Sequence, residues 1–236
     1  MRGVFVTGTG TEVGKTVVAA ALANTARVGG EALAAFKPAV SGLDDHPPAL
    51  ETWENAPELP DHALLRLAAR SQQSDDEIAP YRYGPAVSPH LAAELDGETI
   101  DPDLLRRRAL AAAERADLLI CEGVGGLMVP LIHDYLVRDL ACDLGFPVVI
   151  AASPALGTIN HTLLTIDAAR AAGLEVVGVV LTPWPAEPSS VERSNKRTIE
   201  RLGSAQVATL PRLDLTAPRS WPALRLAAPE RQLRAA

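Results

Sequence analysis

Cysteine is scarce. The 236 residues hold two, Cys121 and Cys142, both inside apolar patterns and without metal-ligand spacing. A disulfide scaffold and a thiolate zinc site are excluded, and both residues are expected to be reduced, buried core positions of a cytoplasmic protein. The histidines are His46, His62, His90, His133 and His161, and no pair has the spacing of a histidine-held catalytic metal. Long apolar runs are missing too: the stretch at 147–152 is far too short to span a membrane. Basic residues are outnumbered, 22 Lys plus Arg against 29 Asp plus Glu for a formal charge of −7, which argues against nucleic-acid binding through a broad basic surface. No targeting segment is expected, because Arg2 leads straight into a strand. Repeats, low-complexity tracts and linkers are absent as well.

What is present reads as a soluble globular chain: 47% apolar residues, rich in alanine, with only 4% aromatics. The length fits one substantial domain over 1–236. A β-branched run, Val4-Phe5-Val6-Thr7, enters Gly8-Thr9-Gly10-Thr11-Glu12-Val13-Gly14-Lys15-Thr16 and then an alanine-rich helical pattern. That order of strand, glycine-rich turn and helix is a phosphate-binding loop. Glycines let backbone N–H groups curl around phosphate oxygens, and the helix start adds the positive end of its dipole. Lys15 would face the β/γ-phosphates and Thr16 a magnesium ion. The usual Gly-x4-Gly-Lys-Ser/Thr spacing puts its first glycine at position 9, which is Thr9, flanked by Gly8 and Gly10.

Periodicity then predicts strands at 32–36, 117–123, 147–152, 175–181 and 205–210, alternating with helices at 15–27, from Asp61, from Ser88 to Gly97, and at 102–115, 136–143, 158–172 and 190–202. Residues 41–60, with Asp44-Asp45, Pro47-Pro48, Pro57 and Pro60, read as a long loop, and about 214–236 as an irregular tail. Strands alternating with helices imply an α/β fold, a mostly parallel sheet of P-loop NTPase type covered on both faces, with its ligand site outside the C-terminal strand ends.

Chemistry-bearing residues gather at those ends. Magnesium bound with a nucleotide takes hard oxygen ligands, for which Thr16, Asp61 and Glu122 qualify. Glu122 could otherwise be a solvated strand-end charge, Asp61 a simple helix N-cap, and Asp44 or Asp45 rival ligands. Lys37, where a buried strand ends, either snorkels to water or stabilises charge in phosphoryl transfer. Trp53, Trp184 and Trp221 lie beside loop prolines and are expected to cover surface or an interface.

Five stretches taken in order resemble one family, the dethiobiotin synthetases. They are Gly8 to Thr16, Lys37-Pro38-Ala39-Val40-Ser41-Gly42, Ser88-Pro89-His90, Glu122-Gly123-Val124-Gly125-Gly126-Leu127-Met128-Val129-Pro130-Leu131 and Leu156-Gly157-Thr158-Ile159-Asn160-His161. The family's phosphate loop has the longer glycine spacing, so the misfit becomes support. The resemblance implies an ATP- and Mg²⁺-dependent ligase of biotin biosynthesis that carboxylates 7,8-diaminononanoate with CO₂ and closes a ureido ring. It assigns catalysis to Lys37, Lys15 and Thr11, and the metal to Thr16, Asp61 and Glu122. Nucleotide contacts fall on Glu12, Val13, Gly14, Lys15, Thr16, Val17, Glu122, Gly123, Val124 and Gly125, with Thr182, Pro183, Pro211, Arg212 and Leu213 by the base. Substrate contacts fall on Thr11, Ser41, Gly157, Thr158 and Asn160, the last three at a helix start across a homodimer interface. Many members carry Asn-Asp where this chain has Thr182-Pro183, so the base contact differs. A partition-type ATP switch would need a lysine early in the loop, which residues 8–13 lack, and a glutamine-dependent amide ligase would need a further domain.

Overall fold

The computed structural model describes residues 2–46 and 51–226; parts of the expected long loop (47–50) and tail (from 227) lie outside the described residues. In chain order the elements are β1 (Gly3–Gly8), α1 (Lys15–Val28), β2 (Leu33–Phe36), β3 (Ala39–Val40), α2 (Asp61–Ala69), α3 (Asp75–Ile78), β4 (Tyr81–Arg82), α4 (Pro89–Asp96) and α5 (Pro102–Glu114). Next come β5 (Leu118–Glu122), β6 (Pro130–Ile132), β7 (Tyr135–Leu136), α6 (Val137–Leu144), β8 (Val148–Ala152), α7 (Thr158–Ala171), β9 (Val176–Trp184), α8 (Ser190–Gly203) and β10 (Val207–Pro211). The main sheet has six strands in the order β10-β9-β8-β1-β5-β2, and every pairing in it is parallel.

Alternate residues along these strands feed two apolar layers. Phe5, Phe36, Leu119, Cys121 and Ile150 point into one, with Leu105 of α5, Leu140 of α6 and Ile166 of α7. Val6, Ala35, Ile120, Val149 and Val180 point into the other, with Val18 to Ala21 of α1 and Leu64 and Leu65 of α2. Both faces are covered, so the strands read as continuous apolar runs. Because β1 is central and flanked by β5 and β8, the chain leaves it in opposite directions, and the crevice at its C-terminal end is the topological switch point.

Edge strand β2 has no neighbour on its outer side. The Gln73 amide stands in for one, accepting from Ala35 N–H at 2.8 Å and donating to the Ala35 carbonyl at 3.0 Å. This caps the free edge one residue before Phe36 and two before Lys37.

Three expectations are corrected. Cys142 is exposed, not buried. The buried face of α6 is Val137, Leu140, Ala141 and Leu144, an i, i+3, i+4, i+7 stripe that leaves position 142 on the opposite side. Trp221 is not a surface cover: it is buried, edge-on to half-buried Trp53 with centroids 5.6 Å apart, and its indole N–H donates to the Asp214 carbonyl. The expected loop 41–60 contains two short 3₁₀ turns, Leu43–Asp45 and Ala56–Glu58. The small elements β3, β4, α3 and the β6–β7 hairpin were not anticipated; each is too short to show a period. Among the described residues, no helix is long and apolar enough to cross a membrane.

Candidate active site

The phosphate loop leaves β1 at Gly8 and re-enters regular structure at Lys15. Two residues in it lie in the left-handed region, Glu12 at φ 57° and Gly14 at φ 85°. For Glu12 this conformation costs about 1–2 kcal/mol relative to ordinary backbone. At Gly14 a β-carbon would also meet the Thr182 methyl at 2.7 Å. Gly126 lets a second loop approach: a β-carbon there would sit 3.2 Å from the Gly8 carbonyl. Lys15 is buried and donates from Nζ to the Gly10 carbonyl at 2.8 Å, folded back along its own loop. Burial lowers its pKa, with Glu122 opposing and Lys37 reinforcing the fall.

At the neighbouring strand ends sits a charge cluster. Lys37, 2% exposed, follows β2, and Glu122, fully buried, ends β5. The Lys37 ammonium lies 2.7 Å from Glu122 Oε1 and 2.8 Å from Asp61 Oδ2. Thr16 Oγ1 lies 2.7 Å from Asp61 Oδ1 and 2.9 Å from Glu122 Oε1. A hydroxyl has one proton, so it serves one of these carboxylates at a time. Glu122 Oε2 is buried with no hydrogen-bond partner. Burial pushes the Glu122 pKa up, against the pull of Lys37. For Lys37 burial acts downward, but the Asp61 and Glu122 carboxylates overcome it and hold the ammonium above the ordinary lysine range. For half-exposed Asp61, burial acts upward, yet the Lys37 charge and the bonds from Lys37 and Thr16 bring it down to about 2.

Position left alternatives open for these side chains, and burial removes two of them. Lys37 does not snorkel, and Glu122 is not a solvated charge. Asp61 is the first residue of α2, after Pro60 at the cap, and its carboxylate turns to Thr16 and Lys37 instead of capping the helix. Asp44 lies on the Leu43–Asp45 turn against Gly84, and Asp45 is on the same turn.

The remaining expected residues are distributed around it. Thr182 is buried behind Gly14, and the pairing of Pro211 with Trp184 sets Pro211, Arg212 and Leu213 beside Thr182-Pro183 at adjacent strand ends. Thr11 and Glu12 are exposed at the loop crest, Val13 and Val17 are half-buried beside it, and Gly123, Val124 and Gly125 continue β5. Ser41 is half-buried after β3. Gly157 and Asn160 lie exposed at the start of α7, while Thr158 is buried with its hydroxyl 3.3 Å from that of Thr162. Near that helix a cavity of about 360 Å³ runs between Gly8 to Gly10, Gly126 to Val129 and the His161, Leu164 and Thr165 side of α7. Its lining by Met128 and Leu164 was not foreseen, since nothing in the local pattern distinguishes an exposed apolar side chain from a core one.

The residues fit a magnesium ion carried by a nucleotide. Two carboxylates and a hydroxyl converge, one buried carboxylate oxygen lacks a partner, and the oxygens share too few protons. Among the described residues there is no cluster of three or more His, Cys, Asp and Glu to cage a metal by itself. A donor set this small suits an ion that retains water and phosphate oxygens.

Comparison with known proteins shows the family. A family model described as an AAA domain matches residues 2–220. The ATP-dependent dethiobiotin synthetase of Bacillus subtilis (strain 168) is 36% identical over 202 residues, covering 86% of this chain and 83% of that one. The corresponding enzyme of Anaeromyxobacter dehalogenans is 40% identical over 202 residues, 86% of each chain. Among solved structures, a ParA family ATPase from Chlorobium tepidum matches with a TM-score of 0.56 at 14% identity, over 93% of this chain and 90% of that one. The cell division ATPase MinD of Pyrococcus furiosus matches with a TM-score of 0.53 at 16% identity, over 89% and 84%. These last two likenesses show the α/β P-loop fold alone. The relatives in sequence show more: the chain belongs to the ATP-dependent dethiobiotin synthetases, a family of ligases that form carbon–nitrogen bonds.

Proposed function

We propose that this chain closes the ureido ring of dethiobiotin at the cluster of Lys15, Thr16, Lys37, Asp61 and Glu122. One amine of 7,8-diaminononanoate adds to CO₂ and loses a proton, giving a carbamate. A carbamate oxygen attacks the γ-phosphorus of ATP, forming a carbamic–phosphoric mixed anhydride and releasing ADP. The second amine attacks the carbonyl carbon, the C–O bond to phosphate breaks, and the ring closes with loss of phosphate and a proton.

The observation that carries this reading is the burial of two lysines beside a phosphate loop in a member of this family. A carbamate and a triphosphate repel each other, and bringing them together requires fixed positive charge in a site screened from water. Lys15 supplies it from the loop and Lys37 from the end of β2, while Thr11 and Ser41 would orient the carbamate or diamine. The nucleotide phosphates would lie along 12–17, with 122–125 closing the other side and 182–183 and 211–213 beside the base. Thr16, Asp61 and Glu122 would hold Mg²⁺, which, bound with ATP, screens the phosphate charge.

The same reading makes the protein a cytoplasmic, one-domain homodimer without nucleic-acid or membrane partners. Leu156 is 93% exposed, and Met128 and Leu164 are exposed as well, flanking the start of α7. Covering them with a second copy removes apolar surface from water, and it brings Gly157, Thr158 and Asn160 to a shared substrate site. The helix N-terminus there would favour the substrate's distal carboxylate.

Purified protein given 7,8-diaminononanoate, bicarbonate, Mg²⁺ and ATP is expected to yield dethiobiotin and phosphate. Running the assay in parallel with GTP, CTP and UTP reads the base preference at Thr182-Pro183. No product with any of the four nucleotides overturns the proposal.

A further inference from the structure

The charge cluster has more negative oxygen than it can satisfy at once. Four carboxylate oxygens and one hydroxyl belong to Asp61, Glu122 and Thr16, and the cation in contact with them is the single ammonium of Lys37. Lys37 touches both carboxylates, and the oxygen it takes from Glu122, Oε1, is also the one nearest Thr16. Glu122 is fully buried, so water cannot stand in for that ammonium. A buried carboxylate stripped of its counter-ion is strongly unfavourable. A divalent ion added to the same oxygens while the ammonium stays in contact would be unfavourable as well, through like-charge repulsion at short range. The two occupancies compete.

We infer that Lys37 is the resting counter-ion of the Asp61–Glu122 pair, and that the divalent ion displaces it and frees its ammonium for the phosphate-loop side. This rests on the reading of Thr16, Asp61 and Glu122 as the ion's ligands and adds an order of events to it. The loop side is adjacent: Thr16, the residue after Lys15, touches both carboxylates that hold Lys37, so a freed ammonium there adds to the positive field over the loop, which favours anions. Lys37 then serves two anionic sites in turn: the carboxylate pair while the ion is absent, the carbamate and γ-phosphate once it is present. Its charge is withheld from the reacting groups until the metal has arrived.

The test uses the full chain without nucleotide and the metal alone. Mg²⁺ or Mn²⁺ binding is measured by titration calorimetry for the wild type and for Lys37→Met, which keeps the stem and removes the charge. Removing the competitor is expected to tighten binding at least about tenfold, equivalent to about 1.4 kcal/mol. Equal or weaker binding in the variant overturns the inference. Should the metal-free variant be unfolded, thermal melts decide: the ion is expected to raise the variant's melting temperature more than the wild type's, and an equal or smaller rise overturns the inference. A measurement on the unaltered chain stands beside these. Acetylation of Lys37, read by peptide mass spectrometry, is expected to rise several-fold when Mn²⁺ is added, and an unchanged level counts against displacement. Dethiobiotin formation by the wild type, together with unchanged metal affinity in Lys37→Met, would overturn this inference alone. Tightened metal binding in a chain that makes no dethiobiotin would overturn the functional reading alone.

Discussion

Cys121 and Glu122 are successive residues of β5, and both are fully buried. They mark two regions built on different physics. Cys121 lies in the apolar layer with Phe5, Phe36 and Leu119, where transfer from water is favourable and no partner is needed. One step further, Glu122 enters the rim of the sheet, where burial is unfavourable and is offset by Lys37, with Thr16 and the Lys15 charge adding to it. The body of the sheet is thus maintained by volume and shape, its rim by matched charge. The body contributes stability and the rim draws on it, as expected of a site whose groups must respond to ligand.

The largest effect should come from breaking the rim. Lys37→Ala is expected to lower kcat about 10³-fold, roughly 4 kcal/mol of transition-state stabilisation, because the charge it would bring to the carbamate and γ-phosphate is lost. Steady-state assays at saturating ATP check this, and near-normal turnover would reduce Lys37 to a structural charge. The matching break in the body is Leu105→Ala. Leu105 is fully buried in α5 against the same layer as Cys121, and its truncation should cost about 3 kcal/mol of stability. Denaturant melts read the loss, and kcat per folded molecule should stay unchanged. A proportionate fall in kcat at Leu105 would show that body and rim are not separable.

The third change sharpens the rim itself. Asp61→Asn keeps the shape and removes a charge, and it should raise the Mg²⁺ concentration needed for half-maximal activity at least about tenfold. Asp44→Asn and Asp45→Asn, on the Leu43–Asp45 turn, should leave that concentration where it is. An unchanged profile at 61 with a shift at 44 or 45 would move the metal ligand to the loop.

The body was largely legible in the sequence and the rim only in part, for a physical reason. Body residues announce themselves by local pattern: Val4 to Thr7, Leu118 to Cys121 and Val148 to Ala152 are apolar runs of strand length, and each appears as a strand in the expected place. Rim residues are defined by partners remote in the chain. Thr16 and Glu122 meet across 106 positions, and no periodicity predicts that. The phosphate loop identified Lys15 and Thr16 because the motif is itself local, whereas Lys37 and Asp61 each stayed between two readings until folding placed them together. Cys142 went wrong for the opposite reason: it follows apolar Leu140 and Ala141, but its own angular position on α6 faces water. Met128 and Leu164 show the same limit, since exposure of an apolar side chain depends on what is absent above it.

Between body and rim lies Gln73, and it provides the smallest test. Its amide bonds both backbone groups of Ala35 on the outer edge of β2, just before the strand delivers Lys37 to the cluster. Those two groups fix which way the amide points, and Ser71 Oγ donates to the same Gln73 Oε1 at 2.7 Å. Gln73→Ala removes three neutral hydrogen bonds at a half-buried edge, where water can take up part of the loss, so about 1 kcal/mol is expected from thermal or denaturant melts. Its effect on catalysis separates two pictures of how Lys37 is held. If the charge cluster alone positions the ammonium, KM and kcat should be unaffected in Gln73→Ala apart from the loss of folded protein. If the strand must be clamped first, kcat should fall while Mg²⁺ affinity holds, because the carboxylates and Thr16 sit on other elements. The distances favour the former: two ion pairs of 2.7 and 2.8 Å hold Lys37 directly, whereas Gln73 acts through two residues of backbone.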